Sequence, residues 1–144
     1  MKIAIVTDAW APQVNGVVTT LTRTSETLRG FGHEVSVVHP GAFRTFPCPS
    51  YPEIRLAWRP FSGVARRLEE ISPDRIHIAT EGPLGLAARR YCLRRRLRFT
   101  TSYHTQFPQY LRARAPVPLA VSFAFLRCAA WTRSCSGLAI PKRL

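Results

Sequence analysis

The 144-residue chain is long enough to form one domain that buries its core without disulfide or metal staples. A hydrophobic content of 46% excludes a disordered polyelectrolyte, while 21 basic against 8 acidic residues leave a net charge of +13. That excess draws polyanions, whether nucleic acid, an anionic membrane face or a phosphate-bearing ligand, and does not choose among them.

Strand-like and helix-like patterns take turns along the chain. Ile3-Ala4-Ile5-Val6 is a short apolar run ended by Thr7-Asp8, the pattern of a buried strand. After a loop with Pro12, Asn15 is placed to cap a helix over residues 16–30, in which Val17, Leu21 and Leu28 recur near helical spacing before Gly30 and Gly32 stop it. Glu34 to His39 reads as a second strand closed by Pro40-Gly41, and the segment to Pro52, rich in Pro and aromatics, reads as an irregular surface loop. Ile54 to Trp58 gives a third strand and Ser62 to Ile71 a helix. Arg75 to Ala79 gives a fourth strand, Pro83 to Arg96 a helix opened by proline, and Arg98 to Tyr103 a fifth strand.

This alternation, with near-continuous apolar strands and no internal repeat, predicts an α/β fold: a Rossmann-like, doubly wound, mostly parallel sheet with helices on both faces. Ligands of such sheets bind beyond the carboxyl ends of the strands. Asp8 follows the first strand, His39 ends the second, Glu81 follows the fourth, His104 follows the fifth, and Gly16 opens the first helix. Each has two readings. Asp8 either terminates a strand and caps a turn or meets a ligand, and His39 before Pro40-Gly41 reads as structural. Gly16 is either a permissive turn residue or a point where a phosphate approaches free helix amides. The Glu81 carboxylate either caps the next helix or accepts a hydroxyl proton. His104 is the best candidate for chemistry, since a histidine moves protons near neutral pH. No GxGxxG follows the first strand, which disfavours a dinucleotide cofactor.

Cys48, Cys92, Cys128 and Cys135 form no CxxC spacing of the kind zinc sites use, so no metal site is expected. The opening Met1–Val6 meets Asp8 too soon to serve as the apolar region of a signal peptide. The apolar stretch Ala115 to Leu126 holds Pro116 and Pro118 and falls short of the roughly 20 residues of a membrane-spanning helix. The expectation is a cytoplasmic chain with reduced thiols.

Four motifs in order carry a resemblance: residues 2–8 (Lys-Ile-Ala-Ile-Val-Thr-Asp), residues 12–18 (Pro-Gln-Val-Asn-Gly-Val-Val), residues 80–85 (Thr-Glu-Gly-Pro-Leu-Gly) and residues 102–107 (Ser-Tyr-His-Thr-Gln-Phe). Together they resemble the amino-terminal domain of family 4 glycosyltransferases, most closely the bacterial nucleotide-sugar-dependent α-mannosyltransferases and lipid glucosyltransferases. The resemblance implies the amino-terminal half of a GT-B fold, in which two Rossmann-like domains face across a cleft and a hexose leaves a nucleotide diphosphate sugar with retention of configuration and no required metal or other cofactor. It further implies that Asn15, Gly16 and Val17 approach the donor diphosphate, that His104 is catalytic beside the transferred sugar, and that Asp8 and Glu81 line the acceptor side. Residues 1–127 are then the acceptor-side domain. The expected partners are a nucleotide sugar, a lipid or glycan acceptor and a carboxyl-terminal donor domain.

From Cys128 the sequence departs from the family pattern, and residues 128–144 are read as an atypical tail. Its density of Cys, Trp, Ser and Arg fits translation of a GC-rich wrong frame, so a frameshift or truncation is expected, with the fragment alone inactive; the alternative is a genuine short paralogue whose tail is shaped by packing. Arg89, Arg90, Arg94, Arg95, Arg96 and Arg98 place six arginines within ten residues. Their bland reading is a solvated helix face. Their functional reading is peripheral contact with the anionic inner face of the plasma membrane. Tyr91 is the single aromatic residue in this run and no recognisable binding motif accompanies it, so no nucleic-acid partner is expected. The competing functional classes are a non-catalytic acceptor-binding or partner-dependent protein and, behind it, a nucleic-acid-binding protein acting through its basic surface.

Overall fold

The computed structural model describes residues 1–48 and 51–102. The expectations for His104, for residues 105–127 and for the 128–144 tail lie outside them.

Strand β1 (Lys2–Val6) is central because its apolar residues are buried on both faces and both edges are paired, to β2 (Glu34–Val38) on one side and β5 (Arg75–Ile78) on the other. With β6 (Phe99–Thr101) beside β5, the sheet runs β2-β1-β5-β6, all parallel. Successive side chains of a strand point to opposite faces. On one face Ile3, Ile5, Val35 and Val37 pack with Trp10 and with Val17, Leu21 and Leu28 of helix α1 (Gly16–Gly30). On the other, Ala4, Val6, Val38, Ile76 and Ile78 share the buried core with Val64 and Leu68 of α2 (Phe61–Ile71) and Leu84, Ala87, Ala88 and Cys92 of α3 (Pro83–Arg95), and both helices contact β1. The mostly parallel, doubly wound α/β arrangement is therefore present, with helices on both faces.

Each helix begins and ends for a local reason. Asn15 caps α1, its Oδ1 accepting the Val18 N–H at 3.0 Å, and Gly32 takes the left-handed conformation (φ 81°) that turns the chain into β2. Pro83 opens α3, where its fixed φ suits the first turn and its missing N–H costs nothing.

The third strand departs from expectation. β4 (Tyr51–Ala57) does not join the parallel sheet; it pairs antiparallel with β3 (Thr45–Cys48) in a separate two-stranded ribbon. Residues 45–48 thus lie in a strand where an irregular loop was expected. Pro47 accounts for the disguise, since it has no N–H to give the ladder, and the register shifts between Pro47 and Cys48.

Candidate acceptor-side site

In an open parallel sheet the crevice for a ligand lies at the carboxyl edge where the strand order reverses. Here the chain goes from β1 to β2 on one side and later to β5 on the other, so the reversal lies between β1 and β5. Asp8 leaves β1 at this point and Thr80-Glu81 leave β5 beside it. The structure therefore brings together two of the expected residues, Asp8 and Glu81, from positions 73 apart in the chain.

Asp8 is buried and fully engaged. Its Oδ1 accepts the Leu84 N–H at 2.8 Å, and its Oδ2 accepts the Thr80 hydroxyl at 2.8 Å and the Gly85 N–H at 3.3 Å. Its own N–H donates to Thr80 Oγ1 at 2.7 Å. The carboxylate thus caps α3 across the sheet, satisfying amides of the helix's first turn. Burial raises its pKa above the ordinary 3.8, opposed by the hydrogen bonds from Leu84, Thr80 and Gly85.

Glu81 is half-buried on the same turn, and its Oε1 is buried with no hydrogen-bond partner among the described residues. Burial first, and then the Asp8 charge, push its pKa above the ordinary 4.5. A buried carboxylate oxygen without a donor is costly in a finished interior and natural where a ligand hydroxyl completes the site.

At the start of α1 the Val18 and Thr19 N–H groups are taken by Asn15, whereas those of Gly16 and Val17 have no partner among the described residues. Gly16 is exposed, and a Cβ there would meet nothing within 4 Å. The Val17 side chain packs into the core, so only its backbone is offered outward. Free amides at the positive end of a helix dipole suit an anion. This helix start and the Asp8–Glu81 turn share the carboxyl edge of the sheet. His104 lies outside the described residues. Ser102, two residues before it, bonds through Oγ to His77 Nε2 at 2.7 Å, and His77 Nδ1 meets Thr100 Oγ1 at 2.8 Å. His39 packs its ring on Trp10, centroids 5.9 Å apart, which agrees with a structural role.

Sequence reasoning did not single out Thr80, Gly82 or Gly85. A Cβ at Gly82 would stand 2.4 Å from Asp8 Cγ, and one at Gly85 would stand 1.9 Å from the Thr80 carbonyl oxygen. The glycines of the Thr-Glu-Gly-Pro-Leu-Gly motif are signals of close approach, legible in type but not in partner. No group of three His, Cys, Asp or Glu side chains among the described residues is arranged to hold a metal ion. No helix among them is long and apolar enough to cross a membrane. A groove of about 540 Å³ lined by Met1, Lys2, Gly32, Glu34, Ser72 and Asp74 sits at the opposite edge, away from this chemistry.

Comparison with known proteins bears on the family of the chain. Residues 14–137 match Glycosyltransferase Family 4, a match that runs past Cys128. A GDP-mannose-dependent alpha-mannosyltransferase of Corynebacterium glutamicum is 29% identical over 138 residues, covering 85% of this chain and 33% of the relative. The alpha-monoglucosyldiacylglycerol synthase of Acholeplasma laidlawii is 30% identical over 127 residues (76% of this chain, 31% of the relative). The enzyme of the same name from Streptococcus pneumoniae is 29% identical over 124 residues (77% and 28%). The chain thus spans about a third of the length of the curated relatives it matches. No solved structure matches it significantly. The α/β sheet, the polar residues gathered at its carboxyl edge and a family match over most of the chain lead to one conclusion: the chain belongs to glycosyltransferase family 4.

Proposed function

We propose that these residues are the acceptor side of a retaining hexosyltransferase that moves mannose or glucose from a nucleotide diphosphate sugar to a lipid or glycan acceptor. The observation that carries the proposal is Glu81 at the β1–β5 reversal, a half-buried carboxylate with one oxygen unpartnered among the described residues and suited to an acceptor hydroxyl. The relatives' names supply the two sugars and the lipid class. In this reading the Gly16 and Val17 amides receive the donor diphosphate, where they offset the charge that builds as the nucleotide leaves. His104 hydrogen-bonds the transferred sugar. Catalysis uses no metal ion.

The rest of the donor site belongs to a further domain of the kind the longer relatives have room for, so residues 1–144 bind acceptor without turnover. Peripheral contact with an anionic cytoplasmic membrane face is supported by exposed Arg94, Arg96 and Arg98 beside exposed Leu93 and Leu97. Arg95 is partly spent on Glu69, and Arg90 lies over the Phe61 ring.

The test is hexose transfer from GDP-mannose or UDP-glucose to diacylglycerol vesicles, by the chain alone and by the chain fused to the donor half of the Corynebacterium glutamicum relative. The fusion transfers hexose and the chain alone does not. In the fusion, Glu81→Gln and His104→Ala each lower kcat by roughly a hundredfold or more. A fusion that folds and binds GDP-mannose yet glycosylates no lipid or glycan acceptor contradicts the proposal.

A further inference from the structure

We infer that Thr80, together with Asp8, is a positioning residue for Glu81: the two close a buried clamp across the β1–β5 junction that fixes the Thr80–Gly85 turn and holds the Glu81 carboxylate in place. The clamp deepens the acceptor-site reading, on which the purpose of placing Glu81 rests, and it reassigns Asp8 from lining the acceptor to holding the residue that does.

The hydrogen bonding is directional. A threonine hydroxyl has one proton and two lone pairs. Since the Asp8 N–H at 2.7 Å supplies a donor to Thr80 Oγ1, the hydroxyl proton is free to go to Asp8 Oδ2 at 2.8 Å. One side chain thus ties both the backbone and the carboxylate of the residue leaving β1. Asp8 passes the tie on to the Leu84 and Gly85 amides. Pro83 has no N–H, so the Leu84 amide is the first in the helix that needs an acceptor. The packing is equally closed. Gly82 leaves no room for a Cβ against Asp8, and Gly85 leaves none against the Thr80 carbonyl. Glu81 stands between these fixed points as the group whose Oε1 has no partner among the described residues.

The test uses the chain itself, with two NMR readouts: the Glu81 carboxyl titration and hydrogen exchange at the Leu84 and Gly85 amides. Thr80→Ser keeps the hydroxyl and reproduces the wild type in both. Thr80→Val removes it, speeds Leu84 exchange at least tenfold relative to global unfolding, and returns the Glu81 titration toward the ordinary carboxylate range as the turn opens to water. Thr80→Ala makes the same test if the valine variant fails to fold. Val64→Ala, buried in α2, weakens the fold but leaves the Glu81 titration where it was. A Glu81 titration unmoved in Thr80→Val and Thr80→Ala overturns the inference, as does a Thr80→Ser variant that behaves like Thr80→Val. Neither readout uses donor or acceptor, so failure of the transferase proposal and failure of the clamp are told apart.

Discussion

Helices α1 and α3 both begin at the carboxyl edge of the sheet, and their first turns are treated in opposite ways. At α3 the Leu84 and Gly85 amides are sealed by a buried carboxylate from another strand, with no space for a Cβ at Gly82 or Gly85. At α1 the cap is the local Asn15, the Gly16 and Val17 amides have no partner among the described residues, and a Cβ at Gly16 would meet nothing within 4 Å. The same positive helix end is a structural joint in one place and, in the proposed function, an anion site in the other. What separates them is whether the protein supplies its own anion.

Glycine substitution sharpens this contrast most. Gly85→Ala drives a methyl into the Thr80 carbonyl, 1.9 Å away, and costs about 3 kcal/mol or more in urea unfolding. Gly16→Ala meets nothing within 4 Å and changes stability by less than about 1 kcal/mol, while weakening GDP-mannose binding. The caps come next. Asp8→Ala leaves Thr80, Leu84 and Gly85 without their acceptor in a buried site and costs about 2–4 kcal/mol, whereas Asn15→Ala costs about 1 kcal/mol.

The smallest expected effect is on pH dependence. Folded-state pKa values of Asp8 and Glu81 lie above their unfolded ones, so each contributes stability that is fully present below its ordinary value (3.8 and 4.5) and is lost as pH rises through the raised value. Glu81→Gln removes one share of that loss. The stability of the variant relative to wild type therefore rises with pH across that window, measured as urea midpoints. His39, whose pKa is lowered by burial and by Arg67, acts in a separate window. Its share is present above 6.5 and is lost as pH falls through its folded value.

The elements of the parallel sheet were legible because their cues are local: the apolar run of β1, the Asn15 cap, the Pro83 start. β3 was hidden because Pro47 and its aromatic neighbours mimic a loop, and antiparallel pairing with β4 is a tertiary fact. The residues of the site were legible as positions after strands. Their division of labour was not, because nothing local says that Asp8 reaches across to Leu84 or that Thr80 holds both ends of Asp8. Only the hydrogen bonds between residues 72 to 77 apart distinguish the engaged carboxylate of Asp8 from that of Glu81.

The most direct test of the contrast between the two helix starts is amide chemical-shift mapping of the chain titrated with GDP-mannose at millimolar concentration. The Gly16 and Val17 amides shift with saturation while those of Leu84 and Gly85 stay in place. Movement of Leu84 and Gly85 with silence at Gly16 and Val17 contradicts the assignment of an open anion site to α1 and a sealed joint to α3.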